Sequence, residues 1–405
     1  MVDLRFDFRD LFKSGRYAFS GKKMAVHFGG IAVWYAIYEV LLYLSVLISG
    51  QVKEFWHAFG LLPICPFIDF SKYQIELQTI TYVAMGIGYL VAFIIFFVTS
   101  TMVSKIALQQ LRGDDFYSMR DSAGFARKQW KTIFGAFLAL VGIFIFCIIW
   151  PVAIGLLGKI PAVGKVITML SAFLLIPAFL LGLLMAFVAV VFVVSLFFVP
   201  AITACVEQDT FESVYQHFSI VWNQPWRIVV YEFLLMIWKA ICVSVLALMS
   251  GFGFLLVLLP INLLIPDQLG EIFWRANGWL GGILQRIPYI SISGAPQEPS
   301  ALLAIAGMLM TLTILCIVGF VASYLASMAS VGNTIIYVVL RQKISDENLL
   351  EVEEEEEEEI APTPIEEEVE EPSSEEKAAD EEAAEAESQA EQPETEEPEE
   401  NKSET

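Results

Sequence analysis

The chain has 405 residues, 56% of them hydrophobic and only 17% charged, yet its formal net charge is −22. That charge is concentrated: residues 345–405 hold 29 of the 46 acidic and 2 of the 24 basic side chains, which leaves residues 1–344 at +5. So apolar a body has too little polar surface to cover a water-soluble fold, which excludes a soluble enzyme and a nucleic-acid binder. What remains is an all-α polytopic membrane bundle, residues 1–344, with a disordered acidic tail, residues 345–405.

A bilayer core of ~30 Å needs ~20 helical residues. In chain order, apolar stretches of that length fall at about 24–49, 79–104, 133–157, 166–203, 227–259 and 300–340, predicting six membrane helices. The first follows a polar segment, runs too long for a signal peptide and ends in Ile48-Ser49-Gly50-Gln51 without a cleavage pattern. Pro177 predicts a kink in the fourth, and Ser250-Gly251-Phe252-Gly253 a break in the fifth. As one helix the sixth would reach ~60 Å, so the part after Gly332-Asn333 is expected to project from the membrane or bend along its surface. In the connection before it, Leu269, Ile272, Phe273, Ala276, Leu280, Ile283 and Leu284 recur at helical spacing. Trp274 and Trp279 accompany them, an interfacial pattern.

Lys and Arg placement orients the spans, because cytoplasmic flanks retain positive charge. Six basic residues precede the first span (Arg5, Arg9, Lys13, Arg16, Lys22, Lys23) and six lie in the second connection (Lys105, Arg112, Arg120, Arg127, Lys128, Lys131). The first, third and fifth connections carry two each, and Arg341 and Lys343 close the last helix. Both termini are therefore expected inside.

Three inner segments share the form D-x-F-x-S: Asp10-Leu11-Phe12-Lys13-Ser14, Asp114-Asp115-Phe116-Tyr117-Ser118 and Asp209-Thr210-Phe211-Glu212-Ser213. Apolar residues near each step by three or four, as in amphipathic helices at an interface. Two of these helices end in Trp130-Lys131 and Trp226-Arg227, with the ring suited to headgroup depth. The simplest plan is three units, each an amphipathic inner helix followed by a two-helix hairpin. Asp114 and Asp209 read first as N-caps, Asp209 with Glu212 as a capping box, and only second as a binding motif.

Repeated amphipathic segments leading into hairpins resemble a loose group of six-helix prokaryotic membrane families of unknown function. That group is similar to the membrane-domain segment fused to some glycerophosphodiester phosphodiesterases. The closing stretch from Asn333 to Arg341, with Tyr337, is like the tyrosine-to-arginine ending of those families, although the aspartate expected before Leu340-Arg341 is missing. No phosphodiesterase domain is attached here, so the resemblance implies a membrane fold and no hydrolase activity.

Charges inside spans are the strongest functional pointers, because burying them unpaired is costly. Glu39 in the first span and Lys239 in the fifth lie at matching depth, ~20 Å from the inner side, which predicts an ion pair, with Glu232 on the Lys239 face nearer the cytoplasm. A packing pair is the first reading and a transport site the second. Gly319, Ser323 and Ser327 in the sixth span carry small side chains at four-residue spacing, suited to close packing within the bundle or to self-association. Cys65, Cys147, Cys205, Cys242 and Cys316 form no C-x-x-C, with Cys205 expected at the cytoplasmic face, and the three histidines have no ligand spacing. No catalytic residue, cofactor or metal is predicted.

Seven consecutive glutamates, Glu353 to Glu359, open the tail, whose like charge favours disorder. It reads as a solvating appendage or as a docking site for a basic cytoplasmic protein. Taken together, the expectation is a non-enzymatic scaffold or accessory protein of a prokaryotic plasma membrane, contacting lipid through its inner face. The alternative is a small-solute transporter or channel with a buried charged site.

Overall fold

A computed structural model of the chain describes residues 4–53, 55, 77–161, 164–173, 175–207, 209–280 and 301–351. Among them six helices are long and apolar enough to cross a membrane: α2 (Gly21–Ile48), α3 (Thr79–Arg112), α5 (Trp130–Gly158), α7 (Leu175–Val206), α9 (Pro225–Leu264) and α11 (Ala301–Ser345). Shorter helices join them: α1 (Lys13–Ala18, after a 3-10 turn at Phe8–Phe12), α4 (Met119–Lys128), α6 (Gly164–Phe173), α8 (Thr210–Asn223) and α10 (Pro266–Trp279). The protein is an all-α polytopic bundle. Residues 352–405 lie outside the described residues, and with them the expected disorder of the tail.

The chain order gives three units, each a short helix followed by a hairpin: α1 with α2–α3, α4 with α5–α7, and α8 with α9–α11. Each short helix docks on the hairpin of another unit. α4 packs on α3, α8 packs on α5 and α7, and α1 closes the cycle by packing on α11. Small or polar buried side chains one turn apart make these contacts: Ser14 and Ala18, Ser122 and Ala126, Ser213 and His217.

The D-x-F-x-S segments are not structurally equivalent. Asp10 lies in the 3-10 turn, Asp114 bonds the Phe116 amide in a turn ahead of α4, and Asp209 holds the N-cap position of α8 without a side-chain cap. The cap of α4 is Ser118, which accepts from the Asp121 amide at 3.1 Å. In the second unit the docking serine is Ser122, one turn beyond the motif, so Phe116 stands 91% exposed instead of starting an apolar face.

The 166–203 stretch is helical in α6 and α7, with Pro177 three residues beyond residue 174, which lies outside the described residues. Two expectations about the long spans change. α9 runs unbroken through Ser250–Gly253, because its N–H···O=C ladder tolerates Gly at a modest propensity cost. The end of α11 neither projects alone nor lies on a surface: residues 330–340 are buried without interruption. α3 and α7 run on beyond the predicted spans to Arg112 and Val206, and with α1, α8 and α9 they surround α11 there. The main core therefore lies at the end of the bundle formed by the C-terminal turns of α3, α7 and α11, with Phe198, Ile202, Leu235, Met328, Ile335 and Val339 among its members. Packing also continues past Ser345, with Leu349 and Leu350 buried and the Leu349 carbonyl held by Arg112.

At the other end α10 folds back on α11, burying Leu269, Phe273, Ala276 and Leu280 against Leu258 and the Met310 side of α11. Ile283 and Leu284 lie outside the described residues, as does the Trp279 side chain.

Candidate functional site

Polar side chains gather at the same end of the bundle as the main core, where α1 and α8 dock. α1 has only six residues, so most of its carbonyls lack intrahelical partners. Side chains from two other helices supply donors: Tyr324 Oη to Gly15 at 3.1 Å, Lys23 Nζ to Tyr17 at 2.9 Å, and Ser327 Oγ to Ala18 at 3.0 Å. Lys23 also donates to Gln110 Oε1 of α3 at 2.6 Å, and its charge sits favourably at the α1 C-terminus.

A second group forms around α8. Gln216 Oε1 accepts from Arg341 at 2.9 Å and, more distantly, from the Tyr337 hydroxyl at 3.5 Å, while its amide donates to Glu212. Arg341 also pairs with Glu347 at 2.7 Å. Buried Lys105 of α3 pairs with Glu207 after α7 and lies 4.8 Å from the Phe125 ring of α4. Asn333 Nδ2 donates to the Phe197 carbonyl at 2.8 Å, near Pro200 in α7. His217 is fully buried; its Nδ1 donates to the Ser213 carbonyl at 2.6 Å, and Nε2 has no hydrogen-bond partner. Loss of solvation pulls its pKa down to about 4, opposed by that backbone contact.

The membrane charges are arranged differently from expectation. Lys239 forms no ion pair with Glu39 among the described residues; the charge acting on it is that of Glu232, two turns earlier on the same helix. Matching depth does not supply lateral proximity: α2 and α9 each pack on α11. Glu39 instead acts on Tyr43, one turn away on α2.

Gly319, Ser323 and Ser327 all face inward. A side chain at Gly319 would meet the Phe28 ring at 3.1 Å, Ser323 is fully buried, and Ser327 holds α1. Packing within the chain covers this stripe. Cys205, expected at the cytoplasmic face, is buried in α7, and Cys65 lies outside the described residues.

The predicted aromatic residues lie at this end of the bundle with their rings exposed. Phe211, Trp130 and Trp226 are exposed beside exposed Lys131 and Arg227, and Trp222 of α8 joins them. Phe12 is the partial exception, packing edge-on against Trp238 with a 5.1 Å centroid separation.

Residues missed by sequence reasoning are those that look like flanking charges: Lys23, Lys105, Arg112 and Arg341. The available signal was the polar stripe Ser330, Thr334, Tyr337 and Arg341, spaced at three or four residues in an otherwise apolar helix.

Between α2, α3 and α11 lies an apolar groove of about 500 Å³, and a polar pocket of about 560 Å³ lies near the start of α2. Among the described residues no cluster of three or more His, Cys, Asp or Glu side chains is placed to hold a metal ion. The arrangement is that of a six-span helical membrane protein whose long helices are fastened at one end by polar contacts. No protein-family model, curated protein or solved structure matches the chain.

Proposed function

We propose that the chain is a non-enzymatic scaffold or accessory protein of a prokaryotic plasma membrane, with both termini cytoplasmic and an inner face that contacts lipid. The observation that carries this reading is the outward set of Trp130, Phe211, Trp222 and Trp226, the last two 75% exposed, on elements whose opposite faces are docked. Such rings partition to the headgroup region. Polar side chains of the kind that line a conduit are largely used in joining helices, as in the Lys23, Gln216 and Asn333 contacts. The resemblance to the membrane segments of glycerophosphodiester phosphodiesterases belongs to the same proposal, without their hydrolase activity.

A second reading, a small-solute transporter or channel, draws on Glu232 and Lys239, two half-buried charged residues seven positions apart on one membrane helix, where charge is costly unless it serves a function. The acidic tail adds a possible basic cytoplasmic partner to either reading, and self-association remains compatible with both.

Vesicles of phosphatidylcholine and phosphatidylglycerol brominated near the headgroup test the lipid reading. Quenching of the full chain should fall in the Trp130→Phe, Trp222→Phe, Trp226→Phe triple variant. Unchanged quenching would remove the inner face from contact with lipid.

A further inference from the structure

The apolar groove and the polar pocket lie on one face of α2. Ser20 lines the pocket, Lys23 follows one turn later, and His27, Gly30, Ile31 and Trp34 line the groove. These positions recur at three- or four-residue spacing, so they stack along the helix. From Ser20 to Trp34 the rise is ~21 Å, which matches one leaflet with its headgroups, half of a total ~40–45 Å.

The two ends differ in chemistry. In the groove the polar groups are satisfied internally: His27 Nε2 meets Ser330 Oγ at 3.2 Å, Thr99 donates to the Ile95 carbonyl, and Trp34 donates to the Gly88 carbonyl. The groove thus presents hydrocarbon, walled on its open side by half-exposed Phe96 and Leu325. Arg16, Ser20, Gln110 and Asp115 line the polar pocket, and Lys22 reaches the Asp115 carbonyl at its edge. Lys23, buried between the two spaces, holds its ammonium on the neutral Tyr17 carbonyl and Gln110 amide, leaving one of its three donors unassigned by those contacts. Arg16 and Asp115 are the charged residues lining the pocket, and Lys22 and Lys23 bond its lining residues Asp115, Tyr17 and Gln110 from behind, so three cations surround one carboxylate.

We infer that this is a binding site for one anionic phospholipid, its phosphate in the polar pocket lined by Arg16 and Ser20 and an acyl chain in the groove between α2, α3 and α11. The inference deepens the lipid-contacting reading by turning a general surface affinity into a defined site. A leaflet-length face that is apolar at one end and cationic at the other fits an anionic amphiphile and disfavours a zwitterionic one.

The full chain in phosphatidylcholine nanodiscs, doped with phosphatidylglycerol bearing a diazirine on its acyl chain, provides the test. Labelling should concentrate on peptides containing residues 27–34, 92–99 and 322–329. Unlabelled phosphatidylglycerol should compete at least tenfold better than phosphatidylcholine, and inorganic phosphate should not compete. Ala326→Phe should abolish that labelling by filling the groove, and Arg16→Gln should erase the headgroup preference. Labelling spread evenly over the outer faces of α5 and α7, equal competition by the two lipids, or competition by inorganic phosphate would each overturn the site. The competition arms use the unaltered chain, so they stand even if a variant fails to fold. Loss of this selectivity while Trp130, Trp222 and Trp226 remain quenched would remove the site and leave the broader lipid reading intact.

Discussion

Ser327 Oγ donates to the carbonyl of Ala18 across 3.0 Å, joining residues 309 positions apart in the sequence. That contact ties the sixth membrane helix to the first inner helix and closes a cycle of three units, each short helix docked on the hairpin of another. Ser327→Ala removes the donor with little change in volume. The Ala18 carbonyl still accepts from the Ser20 amide at 2.8 Å, so the loss should be that of one hydrogen bond, about 1 kcal/mol. A drop of a few degrees in the thermal midpoint in detergent, with unchanged helicity, is the expected result.

Gly332 is fixed by close approach. A Cβ there would fall 2.5 Å from Leu235 Cδ1 and 2.6 Å from Cδ2, inside the buried stretch of α11. Gly332→Ala should destabilise the bundle by ~1–3 kcal/mol through overpacking. Leu235→Ala alone should cost ~2–5 kcal/mol through its cavity. The double variant should lose clearly less than the sum of the two, and additive losses in a thermal-melt cycle would show that the sites do not touch.

Removing either partner of the Lys105–Glu207 pair should have unequal effects. Lys105 is 4% exposed and Glu207 43% exposed, so Glu207→Ala strands a buried ammonium, whereas Lys105→Met leaves a carboxylate that water can solvate. The expected order in a denaturation series is Glu207→Ala below Lys105→Met, with the double variant near Lys105→Met.

His217 makes the bundle acid-sensitive in a defined window. An exposed histidine titrates near ~6.5, whereas burial holds His217 at about 4. As pH falls between those values the unfolded chain takes up a proton that the folded chain refuses, so stability declines and then levels off below about 4. The full window corresponds to ~3 kcal/mol. His217→Gln should flatten the thermal midpoint across that range relative to the unaltered chain, with both curves parallel above pH ~7.

The six spans are legible in the sequence because each is a local run of apolar residues whose length a bilayer dictates. The three-unit plan is legible for a similar reason, since short amphipathic segments precede each hairpin. What local pattern cannot supply is lateral position. Glu39 and Lys239 share a depth, yet α2 and α9 sit on α11 as separate neighbours, and Glu232 is the charge that acts on Lys239. A Lys/Arg count likewise treats Lys23 and Arg112 as flanking charges, whereas one caps α1 and the other grips the Leu349 carbonyl. The segment from Asn333 to Leu340 looks too long for the membrane only while its inner collar of helices is unknown. D-x-F-x-S misleads in the second unit because a motif marks sequence spacing, and docking there depends on Ser122 and Ala126.

The central claim is that the polar side chains fasten a lipid-facing scaffold and do not line a water path. Single cysteines placed along α11 from Ala304 to Arg341, in a chain freed of its five native cysteines, test this directly with a membrane-impermeant thiol reagent. The account predicts no reaction from either side at the buried positions from Ser323 to Leu340. A reactive stripe at every third or fourth position, continuing across the membrane toward the Glu232–Lys239 level, would contradict it and establish a conduit.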